Sequence, residues 1–137
     1  MRKFTYLSKA SLLEIQATSI NRFGGLHGIK SPEHEGLIDS VLSHIQNDDY
    51  YPDLVSKSTF LYWSLIKNHC FQDGNKRVAL ASVISFWFGN GVDPDRISDF
   101  VRDQGANLTE NIAGGKVERE ELYQIIAKVL DEPSAMQ

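Results

Sequence analysis

The sequence predicts an all-α protein folded as a single compact domain around a central buried helix. Apolar residues recur at helical rather than alternating spacing through most of the 137 residues. Residue types that start and stop helices stand at the joints between those runs. One segment, Val78 to Phe88, is apolar except at Ser82 and Ser85, which reads as a helix buried on nearly all sides.

The elements follow in order. The opening "KFTYLS" has the composition of a short edge strand or one arm of a β-hairpin. A first helix is expected from Ser8 to Phe23, with Leu13, Ala17, Ile20 and Phe23 at helical spacing and Gly24-Gly25 as its stop. "SPEHEGLIDSVLSHIQ" opens a second helix, with Ser31 as N-cap and Pro32 in the first turn. Leu37, Ile38, Val41, Leu42 and Ile45 form its apolar stripe. "NDDYYPD" is a loop, and a third helix starts near Asp53, with Leu54, Leu61, Tyr62 and Leu65 on one face and His69 at the end of that face. The buried fourth helix starts near Asn75 and ends at Gly89-Asn90-Gly91. Asp93-Pro94 opens a short helix through Val101, and another turn or two is expected between Gly105 and Ala113. Gly114-Gly115 breaks the chain before a last helix from Val117, with Leu122, Ile125, Ile126, Val129 and Leu130 inward. Residues 1–131 form the expected domain, and 132–137 read as a frayed, flexible tail.

Composition narrows the function classes. A chain of this length buries enough surface to fold without disulfides or a structural metal. The one cysteine, Cys70, has no internal partner, which fits a reducing, cytoplasmic setting. No signal peptide is expected at the N-terminus, and no run is long enough to span a bilayer. The net charge of −4, from 14 basic and 18 acidic residues, argues against direct nucleic-acid binding.

The chemistry concentrates in "HCFQDGNKR", residues 69–77, between the two most apolar runs. A loop carrying Gly74 and Asn75 into a helix start offers unpaired backbone N–H groups and the positive end of the helix dipole. That is an anion nest. The dipole disfavours Lys76 and Arg77 in that first turn, and an anionic ligand reverses the penalty, so "GNKR" reads as a phosphate cradle. Histidine has an unperturbed pKa of about 6.5, so His69 suits a general base. Asp73 beside phosphates suits Mg²⁺. Base, metal ligand and cradle are the parts of a transfer from a nucleotide to a hydroxyl. Phe71 reads as the anchor that fixes the loop. Taken singly, the same groups have plainer readings. Asp73 can cap a helix, Lys76 and Arg77 can be a solvated pair, and Trp63, Phe86, Trp87 and Phe88 read as core unless some are exposed, which would point to a partner groove. His27, His34 and His44 show no ligand spacing, and Cys70 reads as packing.

"HCFQDGNKR" resembles the signature of the Fic/Doc superfamily, H-x-F-x-D/E-G/A-N-G/K-R, in the form with Lys before Arg that is similar to the Doc (death-on-curing) toxin branch. "NRFGGLHGIKSPEHEGLIDSVL" and "GNKRVALASVISFWFGNGV" resemble the stretches around it, so the likeness covers roughly residues 5 to 130. The resemblance implies a Fic-fold helical domain. It implies that His69 is the base, that Asp73 binds Mg²⁺, and that Gly74 and Asn75, through backbone and the Asn75 side chain, hold the phosphates of ATP. Lys76 and Arg77 would neutralise phosphate charge. Fic proteins generally transfer AMP from ATP. This chain has Lys76 where they have a second glycine and Leu80 where they have a second arginine. Both departures match the Doc branch. Doc-type toxins pass the γ-phosphate of ATP to a threonine of elongation factor Tu, which stops translation, and are paired with an antitoxin whose C-terminal segment covers the site. The implied function is such a toxin. The alternatives are a Fic-type protein adenylyltransferase and a non-catalytic nucleotide- or protein-binding module. "SPEHEG" also fits the short S/T-x-x-x-E-G/N pattern of self-inhibiting Fic proteins, with Glu35 as the acid. Pro32 places it at a helix start, where the structural reading is preferred.

Overall fold

The computed structural model describes residues 3–131. Each early helix begins where a side-chain oxygen can cap it. Helix α1 (Lys9–Phe23) starts on Ser8, which accepts the Ser11 N–H. Helix α2 (Pro32–His44) starts on Ser31, which accepts the His34 N–H, with Pro32 in the first turn. Helix α3 (Leu54–Asn68) starts on a full capping box between Asp53 and Ser56. Helix α4 (Asn75–Gly89) instead begins on Gly74 without a side-chain cap. Helix α5 (Pro94–Phe100) starts on Asp93. It runs through a π-helical turn at Val101–Gly105 into α6 (Ala106–Ala113), and α7 (Arg119–Leu130) ends the described chain. Like α4, α6 and α7 begin without a side-chain cap.

α4 packs against α1, α3, α5 and α6, and so stands at the centre as expected. Phe86 and Trp87 are buried, and Trp87 donates its indole N–H to Ser58 on α3 at 2.7 Å. Tyr62 on α3 bonds Thr109 on α6, which in turn donates to the Gly105 carbonyl at 2.8 Å. That chain pins the π turn to the core. Burial pushes the Tyr62 phenol up to about 12.

Several expectations need correction. α4 is not buried all round. Leu80, Ala81, Ile84 and Ser85 are only half-buried and Phe88 is 66% exposed, because α1 lies beside that stripe without covering it. The inward face of α1 is Leu12, Gln16 and Ile20 rather than Leu13, Ala17 and Ile20, and Phe23 is exposed. Leu37 on α2 is exposed too. "KFTYLS" forms neither hairpin nor edge strand, and no strand occurs among the described residues. Phe4 and Tyr6 pack against the core, but the segment's partner is a side chain. Asn90 accepts the Thr5 N–H and donates to the Thr5 carbonyl at 2.8 and 2.9 Å. The two rings cover Lys57, which is fully buried and bonded to Asp48 and the Ile45 carbonyl, both at 2.7 Å. The expected flexible tail, 132–137, lies outside the described residues. No described helix is long and apolar enough to cross a membrane.

Candidate functional site

The loop between α3 and α4 is shaped by two left-handed residues. His69 ends α3 at φ 52°, and Gly74 begins α4 at φ 78°. Glycine adopts that conformation freely, whereas histidine is held in it by its surroundings. Between them, Cys70 and Phe71 are buried, and burial pushes the Cys70 thiol up. The Asn75 side chain accepts the Phe71 N–H and donates to the Phe71 carbonyl, both at 2.9 Å. Phe71 is thus the anchor the sequence predicts. The Asn75 amide holds the loop through these two bonds. The backbone of the uncapped first turn is open to an anion.

A second loop, residues 24–30, is tied to the first by short backbone pairing. The Lys30 N–H donates to the Cys70 carbonyl and the Gln72 N–H to the Gly28 carbonyl, each at 2.9 Å, around an antiparallel bridge of Ile29 and Phe71. Gln16, buried on α1, joins both loops. Its amide donates to the carbonyls of Leu26 and Asp73 and accepts the Gly28 N–H. Asp73 turns away from the α4 start, and its Oδ2 accepts the Leu26 N–H at 2.7 Å. It does not cap α4. Gly25 makes that approach possible, since a Cβ there would stand 2.9 Å from the Asp73 Cβ.

These groups line a cleft of about 310 Å³, walled by His69, Asp73, Gly74, Lys76, Arg77 and Glu110. The Lys30 ammonium lies 2.6 Å from His69 Nδ1. Partial burial, then the charges of Lys30, Lys76 and His34, hold the imidazole below its usual value. Lys76 pairs with Glu110 of α6 at 3.0 Å. Arg77 donates to the Ser19 hydroxyl at 3.2 Å and stacks over the Phe23 ring at 4.6 Å. Arg77 also closes one end of a groove of about 820 Å³ between α1 and α4, whose apolar wall includes Ile15, Leu80, Ile84 and Val101. Glu35 lines neither space and pairs with Lys9 at 3.3 Å.

The donor set fits one kind of metal. Among the described residues no three His, Cys, Asp or Glu side chains converge, so no all-protein cage exists there. Among the described residues no group donates a hydrogen bond to Asp73 Oδ1, while Oδ2 is fixed by the Leu26 N–H. One oriented carboxylate beside an open helix start is a donor set that suits Mg²⁺, an ion that usually keeps several waters and is held by one or two carboxylates.

Residues 6–87 match the model of the Fic/DOC family. The chain belongs to that family. It is 30% identical over 115 residues to "Protein kinase doc" of Escherichia phage P1, covering 82% of this chain and 85% of that one. It is 37% identical over 82 residues to "Toxin Doc" of Mycolicibacterium smegmatis, covering 57% of this chain and 62% of the toxin. As a Fic/DOC protein of the Doc branch, it places the expected His69, Asp73, Gly74, Asn75, Lys76 and Arg77 around one cleft. Sequence reasoning missed Gln16, Gly25, Lys30 and Glu110. A polar Gln16 within the Leu12–Ile20 stripe and a doubled glycine were signals. Lys30 and Glu110 left none, being ordinary surface residue types brought in by loop pairing and by α6.

Proposed function

We propose that this protein is a Doc-like toxin of a toxin–antitoxin module, a Mg-ATP-dependent transferase that phosphorylates a hydroxyl of a protein target in the cytoplasm. Elongation factor Tu is the proposed target, and inhibition of translation the proposed outcome. The observation that carries the reading is the uncapped first turn of α4, bearing Lys76 and Arg77 and facing a histidine held as a neutral base. Backbone N–H groups at residues 74 and 75 and the two cations would receive the phosphates, and Asp73 would hold a magnesium ion. His69 removes the proton of the incoming hydroxyl. A magnesium ion there would supply screening of the phosphate charge. The Lys76 side chain occupies space that a glycine would leave open, which favours transfer of the terminal phosphate over AMP. The apolar α1–α4 groove beside Arg77 suits an amphipathic antitoxin segment.

Transfer from ATP labelled at either the α- or the γ-phosphate tests this. Purified protein, Mg²⁺ and bacterial lysate, with isolated elongation factor Tu in parallel, should give label from γ only. Label from α would establish adenylylation instead. ATP binding without label from either would leave a binding module.

A further inference from the structure

Taking His69 as the base of that transfer, we infer that Lys30 is a positioning residue. Its ammonium keeps the free lone pair of the imidazole on Nδ1 and the ring proton on Nε2, until the target hydroxyl takes its place. Three observations meet here. An ammonium has only donors, so the 2.6 Å contact requires an unprotonated Nδ1. Lys30 is delivered by backbone, since the pairing of residues 28–30 with 70–72 sets it against the end of α3. Among the described residues Lys30 is the only hydrogen-bond partner of the ring, which the left-handed backbone of His69 turns out of α3.

The surrounding charges agree. The charges acting on His69 come from Lys30 of the 24–30 loop, Lys76 of α4 and His34 of α2, and the cleft beside it is also lined by Asp73 of its own loop, Arg77 of α4 and Glu110 of α6. Lys76 is partly offset by Glu110, whereas Lys30 has no carboxylate partner among the described residues. Lys30 is therefore the cation best placed to keep the ring neutral. On handover the O–H bond of the target breaks and its proton goes to Nδ1. The oxygen bonds phosphorus as the bond to the leaving nucleotide breaks. The imidazolium so formed stands beside a cation and sheds its extra proton readily.

Nitrogen NMR of the histidine rings reads the tautomer and the titration without needing turnover, with the His69 signal assigned by its loss in His69→Ala. The wild type should show the Nε2–H tautomer. Lys30→Met should raise the His69 midpoint and move the acid limb of the transfer pH profile upward, with the rate retained on the alkaline side. Lys30→Arg, which keeps a cationic donor, should restore both toward wild type. An Nδ1–H tautomer, or a midpoint unmoved in Lys30→Met, overturns the inference. So does a rate lost equally at all pH, which marks a structural role. A shifted midpoint in a protein that transfers nothing keeps the Lys30 assignment and removes the transferase reading.

Discussion

Helices α3 and α4 are consecutive, pack against each other, and begin in opposite ways. α3 opens on Asp53 and Ser56, which satisfy each other's backbone N–H groups. α4 opens on a glycine, has no side-chain cap, and carries two cations where the helix dipole disfavours them. A closed start contributes stability. An open start leaves donors for a ligand that is not part of the chain. On the proposed function, the closed start serves folding and the open start serves the chemistry.

The comparison can be broken from its functional side first. His69→Ala should lower transfer by roughly 100-fold or more, the usual worth of a general base, with the unfolding midpoint little changed. An undiminished rate in the labelled-ATP assay would remove His69 from the chemistry. Gly25→Ala should come next. The new Cβ presses on Asp73, and the φ of 117° is one that alanine resists, so a loss of about 1–3 kcal/mol is expected. Denaturant unfolding should show that loss, and calorimetry a weaker Mg²⁺-dependent nucleotide affinity. Asp53→Ala tests the closed start and should cost about 1 kcal/mol while leaving nucleotide affinity unchanged. If it weakened binding, the two helix starts would not be separable. Glu110→Gln should do least. Both partners of the Lys76–Glu110 pair are half exposed or more, so stability should move by well under about 1 kcal/mol. Calorimetry should show slightly tighter nucleotide binding as Lys76 is released, and weaker binding would contradict its place in the cradle.

The contrast between the starts was legible in the sequence, because caps are local. Ser31, Asp53 and Asp93 sit where their oxygens act, and Gly74 before "NKR" marks the entry to α4, though Asp73 was open to reading as its cap. The joining of His69, Asp73 and Arg77 at one cleft was legible for the same reason, since they share one loop and one helix turn. What was not legible depends on distant pairing. The inward face of α1 was misread by one residue because Gln16 counts as polar, yet its amide is satisfied by two loops. The open stripe of α4 follows from where α1 lies, which periodicity does not encode. "KFTYLS" alternates as a strand should, and its backbone finds the Asn90 amide instead of a neighbouring strand.

That clasp also ties the chain's beginning to its middle. Thr5 and Asn90 are separated by 85 positions. During synthesis the aromatic cover of Lys57 precedes it, yet the clasp to Asn90 cannot form until the end of α4 has left the ribosome. Vectorial growth therefore delays that clasp, and loop closure over so many residues makes it a slow contact to form.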